Sequence, residues 1–281
     1  MTAIKELISE IEFLEPVPAV LHQITAKSED PNASMMEIAD IIMFDPILTA
    51  NVLKMVNSAY FALPRKIDSV KEAITILGLD QVVDMVILKA GSKNFSRAQN
   101  GYGLNEGELW RCAVASAIIS REIAIQLGLS HIHMIFTAAM IKDIGKIILD
   151  RFVADAFHKI SRLVNEKAFS FKEAEKKVIG VDHAEIGAYV AKKWGFSHRL
   201  VGIIKNHHLS DPDRKDTETG VVYLADNVCM MMGIGVGHDG LSYRFHEEML
   251  NKLGVSPDDL QRIIAGFGAM MENVERLLQV T

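Results

Sequence analysis

The amino-acid sequence predicts an all-α protein. Helix start signals recur along the chain, apolar residues repeat at three- and four-residue spacing, and strand signals are rare. The clearest periodicity lies in residues 47–61, where one helical face carries Leu48, Val52, Met55, Val56 and Ala59. A chain of 281 residues with 49% hydrophobic content is also long enough to bury a large core.

Four helix starts have capping-box spacing, in which a short polar side chain accepts a backbone N–H and an acid three residues later reaches back. They are Ser34 with Glu37, Ser69 with Glu72, Ser170 with Glu173, and Asp182 with Glu185. Two further starts place proline directly after a capping residue, at Asp45-Pro46 and Ser256-Pro257. Helix ends are expected at Leu63-Pro64, Gly78, Gly91, Gly128 and Gly195. Most helices should therefore have about three to five turns.

Residues 91–107 are rich in glycine, serine and asparagine, and they separate two helical blocks. We interpret this stretch as a joint between two packed lobes. The predicted organisation is an N-terminal helical lobe over residues 1–95, a second helical lobe over 96–232, and a C-terminal loop and helix over 233–281 that packs on the second lobe.

Composition excludes several classes of protein. The net charge is −6, and the 30 basic residues are interspersed with 36 acidic ones, which argues against nucleic acid as the main ligand. Two cysteines cannot form a disulfide framework, and the first residues lack the cationic and apolar parts of a signal peptide. Charges interrupt every apolar run that could cross a membrane. A cytoplasmic protein without a membrane segment is expected.

Several polar residues are expected to have packing roles. His22 has no second ligand near it in sequence, and Asn57 and Ser58, near a helix end, are expected to hydrogen-bond their own backbone. His131 and His133 would point to different sides of a helix, at the surface or between the lobes. No cluster is apparent for His158, His198, His238 and His246.

Sequence blocks in a fixed order resemble a known family. The order begins with "LEPVPAVLHQI" and "DPNASMMEIADIIMFDPILTANVLKMVNSAYF", continues with "LPRKIDSVKEAITILGLDQVVDMVI", and ends with "LWRCAVASAIISREIA" and "AAMIKDIGKIIL". From about Leu14 to about Gly233 the chain is similar to the HDOD family, bacterial output domains related to the HD superfamily of metal-dependent phosphohydrolases. This resemblance implies that the second lobe is HD-like.

The resemblance also implies where a metal site would lie. HD enzymes hold divalent metals with a histidine, a His-Asp pair, further histidines and a late aspartate. The matching positions here are Cys112, Lys142, Asp143, His183, His207, His208 and Asp226. Cysteine thus replaces the first histidine, and lysine replaces the histidine of the pair. The "GYP" tripeptide of the subfamily that hydrolyses cyclic di-GMP is missing, since the chain continues "HHLSDPDRKD".

A protonated lysine cannot bind a metal and repels a dication from its neighbourhood. We therefore expect the ammonium of Lys142 to take the place of the metal, within about 4 Å of Asp143 or Asp226. The pocket is then a relic without a cofactor. The remaining donors leave a second possibility open, because Asp143, His183, His207, His208 and Asp226, with Cys112 as thiolate, could still bind zinc, manganese or iron.

Two classes of function follow. The favoured prediction is a non-catalytic signalling module that acts in trans on other signalling proteins, because no receiver, kinase or cyclase segment is apparent in this sequence. The alternative is a metal-dependent phosphohydrolase with an unusual ligand set, or a nucleotide-binding sensor without turnover. The closely spaced glycines of residues 230–240 lack the lysine and the strand of a phosphate loop, which favours a flexible loop there. The methionines beside them would suit a cap over the pocket or a partner surface. The oligomeric state stays open.

Overall fold

A computed structural model describes residues 23–24, 26–27, 30, 34–44, 46–58, 61, 63–209, 216–242 and 246–279. Across these residues the regular structure is helical and contains no β-strand, with one isolated bridge between Gln99 and Leu104. The all-α prediction is therefore confirmed. In this part of the chain, none of the helices is both long and apolar enough to span a membrane.

The helices are α1 (Met35–Met43), α2 (Pro46–Val56), α3 (Val70–Leu77), α4 (Leu79–Phe95), α5 (Glu108–Gln126), α6 (Ile132–Ile141), α7 (Ile144–Lys167), α8 (Phe171–Ile179), α9 (His183–Lys193), α10 (His198–Asn206), α11 (Thr217–Met231), α12 (Glu247–Leu253) and α13 (Pro257–Gln279). Two 3₁₀ turns lie at Asn100–Tyr102 and His238–Ser242.

The predicted helix starts are present. Complete capping boxes begin α1 at Ser34, α8 at Ser170 and α9 at Asp182. At α3, the Ser69 side chain accepts the N–H of Glu72. Helices α2 and α13 begin at the two predicted prolines. Asp45, like His22, lies outside the described residues.

Three of the five predicted helix ends are present, and two are wrong. Helix α2 ends at Val56, before the predicted end at Leu63-Pro64. Gly78 ends α3 with a φ of +85°, and α5 and α9 end just before Gly128 and Gly195, which have positive φ as well. Gly91 does not end a helix, because α4 continues to Phe95. A glycine inside a helix costs only about 0.5–1 kcal/mol relative to alanine, and the buried apolar face of α4 outweighs that cost. Helix α7, with 24 residues, is longer than the sequence predicts.

Asn57 has the structural role that the sequence predicts. Its amide nitrogen donates to the carbonyl oxygens of Leu53, at 2.9 Å, and Ile67, at 2.7 Å. Its amide oxygen accepts the N–H of Ile67 at 2.7 Å. These bonds tie the end of α2 to the segment that leads into α3.

One apolar core joins the helices. Its buried residues extend from Ile24 to Met271, so the segments before and after residue 95 share a continuous interior. Helix α4 packs on α5, α6 and α7, while α12 contacts α11 and α13 contacts α5. The division into residues 1–95, 96–232 and 233–281 stays a prediction.

The joint over residues 91–107 is closely packed. Helix α4 occupies its first part, and the 3₁₀ turn follows with Tyr102 fully buried. Gly101 lies so close to α7 that a Cβ there would be 2.2 Å from the carbonyl oxygen of Asp150, and its N–H donates to the Asp150 carboxylate at 2.7 Å. This close approach, possible only for glycine, carries Tyr102 into the interior.

Residues 232–237 lie outside the helices, as the predicted loop requires, and the flexibility of this loop stays a prediction. Helix α11 continues to Met231, and the following segment packs against the interior. A Cβ on Gly235 would lie 2.5 Å from the Cβ of Cys112, and one on Gly237 would lie 2.1 Å from the carbonyl oxygen of Tyr102. Contacts across more than a hundred residues place this segment against the interior, and no local signal in the sequence indicates them.

Candidate functional site

The junction between α6 and α7 places Lys142 and Asp143 in the interior. Helix α6 ends at Ile141 and α7 begins at Ile144, so these two residues form the turn between the helices. Gly145 allows the turn to approach α9, because a Cβ at this position would lie 1.9 Å from the carbonyl oxygen of His183. The start of α7 therefore lies directly against the start of α9.

Five buried charged residues form a continuous chain, which we call the charged cluster: Asp226, Lys142, Asp143, Lys146 and Asp239. Lys142 Nζ lies 2.7 Å from Asp226 Oδ1 and also contacts the Asp143 carboxylate. Lys146 Nζ lies 3.0 Å from Asp143 Oδ1 and 2.6 Å from Asp239 Oδ2. Two ammonium groups thus bridge three carboxylates.

These contacts keep the central ion pair charged. Burial raises the pKa of Asp143, but the ammonium groups of Lys142 and Lys146 hold it well below its usual value. Burial lowers the pKa of Lys142, and Asp143 and Asp226 raise it by more, so that it lies well above the usual lysine value. Asp226 differs, because burial raises its pKa more than Lys142 lowers it. The salt bridge that the sequence predicts for Lys142 is present in the structure.

Three histidines lie beside the charged cluster, and we call them the imidazole cluster: His183, His207 and His208. One ring nitrogen from each lies within 4.8 Å of the others. The Nε2 atoms of His183 and His208 are 2.8 Å apart, while Nε2 of His183 and Nε2 of His207 lie 3.9 Å and 3.8 Å from Asp143 Oδ1. Asp143 is therefore common to both clusters.

Hydrogen bonds determine which ring nitrogen carries the proton in His207 and in His183. Nδ1 of His207 lies 2.7 Å from the carbonyl oxygen of Ile204, which can only accept, so Nδ1 carries the proton. Nε2 of His207 then has a free lone pair, and this buried atom has no hydrogen-bond partner. Nδ1 of His183 lies 2.7 Å from the Glu175 carboxylate and is held in the same way.

Glu175 is itself fixed by two donors. The hydroxyl of Tyr102 donates to Glu175 Oε1 at 2.6 Å, and the backbone N–H of His183 donates to Oε2 at 3.1 Å. Carboxylates that orient an imidazole in this way are typical of metal sites. Burial lowers the pKa of His207 and of His208 well below the usual value, which keeps both in the neutral, ligand form. Burial also lowers the pKa of His183, but Glu175 raises it by more.

The site has two parts that differ in their fit to a metal. In the first, Cys112 Sγ and carboxylate oxygens of Asp143 and Asp226 lie within 4.8 Å of one another, but the ammonium of Lys142 contacts both carboxylates. A dication does not fit beside that ammonium. In the second, the imidazole cluster offers the neutral rings of His207 and His208, the buried lone pair of His207 and the His183 ring oriented by Glu175. These donors fit zinc, iron or manganese.

The structure thus brings together all seven residues of the predicted pocket, and it adds four that the sequence analysis missed: Tyr102, Lys146, Glu175 and Asp239. Of these four, only Lys146 could have been placed at the site from the sequence, since it lies three residues after Asp143 on the same helix. The others reach the site through hydrogen bonds between residues far apart in sequence.

The other histidines that the structure describes lie outside the imidazole cluster. His133 contacts Asp80 and Asp84 of α4, which agrees with a position between the lobes. His238 packs on Phe157 at the edge of the site, with ring centroids 4.5 Å apart.

Comparison with known proteins identifies the family. The family model of the HDOD domain matches residues 14–210. The chain belongs to the HDOD family. A solved HDOD domain protein with unknown function from Geobacter sulfurreducens is 26% identical, with a TM-score of 0.70 and coverage of 99% of this chain and 96% of that one.

Two further solved structures have folds similar to that of this chain. A protein named "Putative phosphohydrolase" from Shewanella amazonensis SB2B has 21% identity, a TM-score of 0.67, and coverage of 97% and 98% of the two chains. One named "Putative signal transduction protein" from Marinobacter aquaeolei VT8 has 16% identity, a TM-score of 0.71, and coverage of 99% and 65%. At these identities the likeness shows the fold alone. An uncharacterized protein of Treponema pallidum (strain Nichols) is 22% identical over 203 residues, and the match covers 72% of this chain but only 39% of that relative.

Proposed function

We propose that this HDOD protein is a non-catalytic signalling module that acts through other proteins. One observation carries the proposal: the ammonium of Lys142 lies 2.7 Å from Asp226 Oδ1 and contacts Asp143. A metal that activates water must bind neutral or anionic ligands, and in this part of the site a permanent cation already pairs with the carboxylates. The charged cluster then serves to hold α6, α7 and α11 together.

The role in signalling is supported by the family and by the name of the Marinobacter relative. Partner proteins are the proposed targets. Nucleic acid and membranes are not, because the net charge is −6 and the basic residues are interspersed with acidic ones. A bacterial cytoplasm is the proposed compartment, since Cys112 and Cys229 are both free thiols, as a reducing environment would keep them.

The second candidate function is that of a metal-dependent phosphohydrolase, or of a sensor that binds a nucleotide in the same pocket without hydrolysing it. It is supported by the buried lone pair of His207 Nε2 and by the carboxylate that orients His183. Formal charge also favours a cation, because the three carboxylates of the charged cluster, those of Asp143, Asp226 and Asp239, share only two ammonium groups. A zinc, manganese or iron ion held by the imidazole cluster and Asp143 would supply a bound water of lowered pKa.

A screen separates the two functions. Protein purified without chelators would be analysed for bound metal, and then loaded with Zn²⁺, Mn²⁺ or Fe²⁺ and assayed against phosphodiesters, nucleotides and phosphomonoesters. We expect no hydrolysis above that of a His207→Ala, His208→Ala variant, which lacks two imidazoles of the cluster. Hydrolysis that requires these histidines would overturn the non-catalytic proposal.

A cellular test addresses the signalling role. A strain without the gene would be complemented with the wild type or with a His207→Asn, His208→Asn variant that has been shown to fold. A non-catalytic module should restore the wild-type phenotype in both cases. Loss of complementation by a folded variant would show that the imidazole cluster is needed for function.

A further inference from the structure

The segment of residues 233–242 lies against the other members of the charged cluster and contributes Asp239 to it, through an ion pair with Lys146. Asp239 Oδ2 lies 2.6 Å from Lys146 Nζ, and both side chains are buried. Lys146 is in turn 3.0 Å from Asp143 Oδ1, and its ammonium lies 5.7 Å from the centroid of the Tyr102 ring. The segment therefore contacts the central aspartate of the site through one lysine.

Glycine allows the segment to lie directly on the wall of the site. Gly235 packs on Cys112, and Gly237 packs on the backbone of Tyr102, at distances that leave no room for a side chain. The 3₁₀ turn at the end of the segment contacts α8, the helix that carries Glu175. The segment thus lies between the interior cluster and the outer surface.

Few of the described side chains hold this segment in place: besides Asp239, Ile234 is buried in the core and His238 packs on Phe157. Residues 233, 235, 237 and 240 are glycines, and Val236 is 43% exposed. Asp239 itself is only partly satisfied, because its buried Oδ1 atom has no hydrogen-bond partner. Segments with few buried apolar contacts are the ones that open locally before the whole protein unfolds.

We propose that residues 233–242 form a lid over the charged cluster, that the Asp239–Lys146 ion pair holds this lid shut, and that the lid opens without unfolding of the helical core. Because the lid connects α11 to the segment that carries α12 and α13, its opening would also change the outer surface that these helices present. The proposal holds whether the site beneath is a scaffold or binds a metal.

Cys112 is a natural probe of this motion, since it is buried directly under Gly235. In a Cys229→Ala background, Cys112 is the only thiol of the protein. Its rate of reaction with a small thiol reagent, measured without denaturant, reports how often the lid opens. Asp239→Asn removes the charge that binds Lys146, and we expect it to accelerate labelling about tenfold or more.

Asp84→Asn is the matched control. Asp84 is equally buried and pairs with Arg121, but it lies in α4 and not in the lid. The proposal requires that Asp239→Asn accelerate labelling well beyond Asp84→Asn after correction for the loss in global stability of each variant. If labelling in both variants accelerates only in proportion to the stability that each has lost, Cys112 is exposed by global unfolding alone. That result would refute the lid.

A measurement on the Cys229→Ala protein keeps the test decisive if Asp239→Asn fails to fold. At low denaturant, labelling of Cys112 by local opening should depend weakly on denaturant concentration. The equilibrium m-value of the same protein gives the steep slope that global unfolding would produce. A labelling slope for Cys112 as steep as that m-value would overturn the proposal.

Discussion

Lys142 Nζ lies 2.7 Å from Asp226 Oδ1, and this contact joins the turn between α6 and α7 to the middle of α11. Neither side chain reaches solvent, so the Asp226 carboxylate depends on the ammonium of Lys142, which pairs with both Asp226 and Asp143. A buried ion pair of this kind need not stabilise a protein relative to a well-packed apolar pair, but removal of one partner leaves an uncompensated charge.

Lys142→Met should therefore destabilise the protein. Without the ammonium, the carboxylates of Asp143 and Asp226 face each other in a pocket that excludes water, and the loss should be about 3 to 5 kcal/mol. Chemical denaturation measures it. The double variant Lys142→Met, Asp226→Asn removes the uncompensated carboxylate as well, so it should be more stable than Lys142→Met alone. If the double variant loses as much unfolding free energy as the two single variants together, this account is contradicted.

Lys142→His tests the proposed replacement of a metal by an ammonium. The change removes the cation and supplies an imidazole next to Asp143 and Asp226, so the affinity for Zn²⁺ should rise about tenfold or more over the wild type. Isothermal titration calorimetry would measure it. Lys142→Met, which also lacks the cation but offers no ligand, is the control, and an equal gain in that variant would show that the imidazole is not responsible.

Gly145→Ala should separate α7 from α9. A Cβ at this position would lie 1.9 Å from the carbonyl oxygen of His183, and neither backbone can move without disturbing the imidazole cluster. We expect a loss of stability of about 1 to 3 kcal/mol or more. Gly268→Ala in α13 is a matched control, because no atom lies within 4 Å of the added Cβ, and alanine there should be neutral or stabilising. Similar effects of both substitutions on the unfolding midpoint would argue against the close approach.

The sequence predicts those parts of the fold that local signals determine. Helix starts follow from side chains such as Ser170 and Asp182, which accept amides three residues away. Gly91 shows the limit, since the packing of α4 outweighs its low helix propensity. At the site, Lys142 could be placed with Asp143 and Asp226 through the family resemblance. Contacts such as that of Asp239 with Lys146, 93 residues apart, depend on tertiary packing that no pattern in the chain reveals.

The contact between α6 and α4 is expected to weaken as pH rises. His133 Nε2 lies 3.0 Å from Asp80 Oδ1, and its Nδ1 lies 3.6 Å from Asp84 Oδ1, whose other oxygen pairs with Arg121. Burial lowers the pKa of His133, but Asp84 and Asp80 raise it by more, so the folded pKa lies above the usual value of 6.5.

A histidine whose pKa is raised in the folded state stabilises that state when it is protonated. This stabilisation is fully present below the unfolded pKa, near 6.5, and it is lost as the pH rises through the folded pKa. His133→Gln cannot be protonated, so the difference in unfolding free energy between wild type and variant should shrink from pH 6 to pH 9. Between these pH values the difference in unfolding free energy should change by about 1 kcal/mol or less, because the ion pair is partly exposed. Urea unfolding at a series of pH values measures it, and the other histidines cancel in the difference. A difference that is constant with pH, or that grows as pH rises, would show that His133 is not charged at this contact.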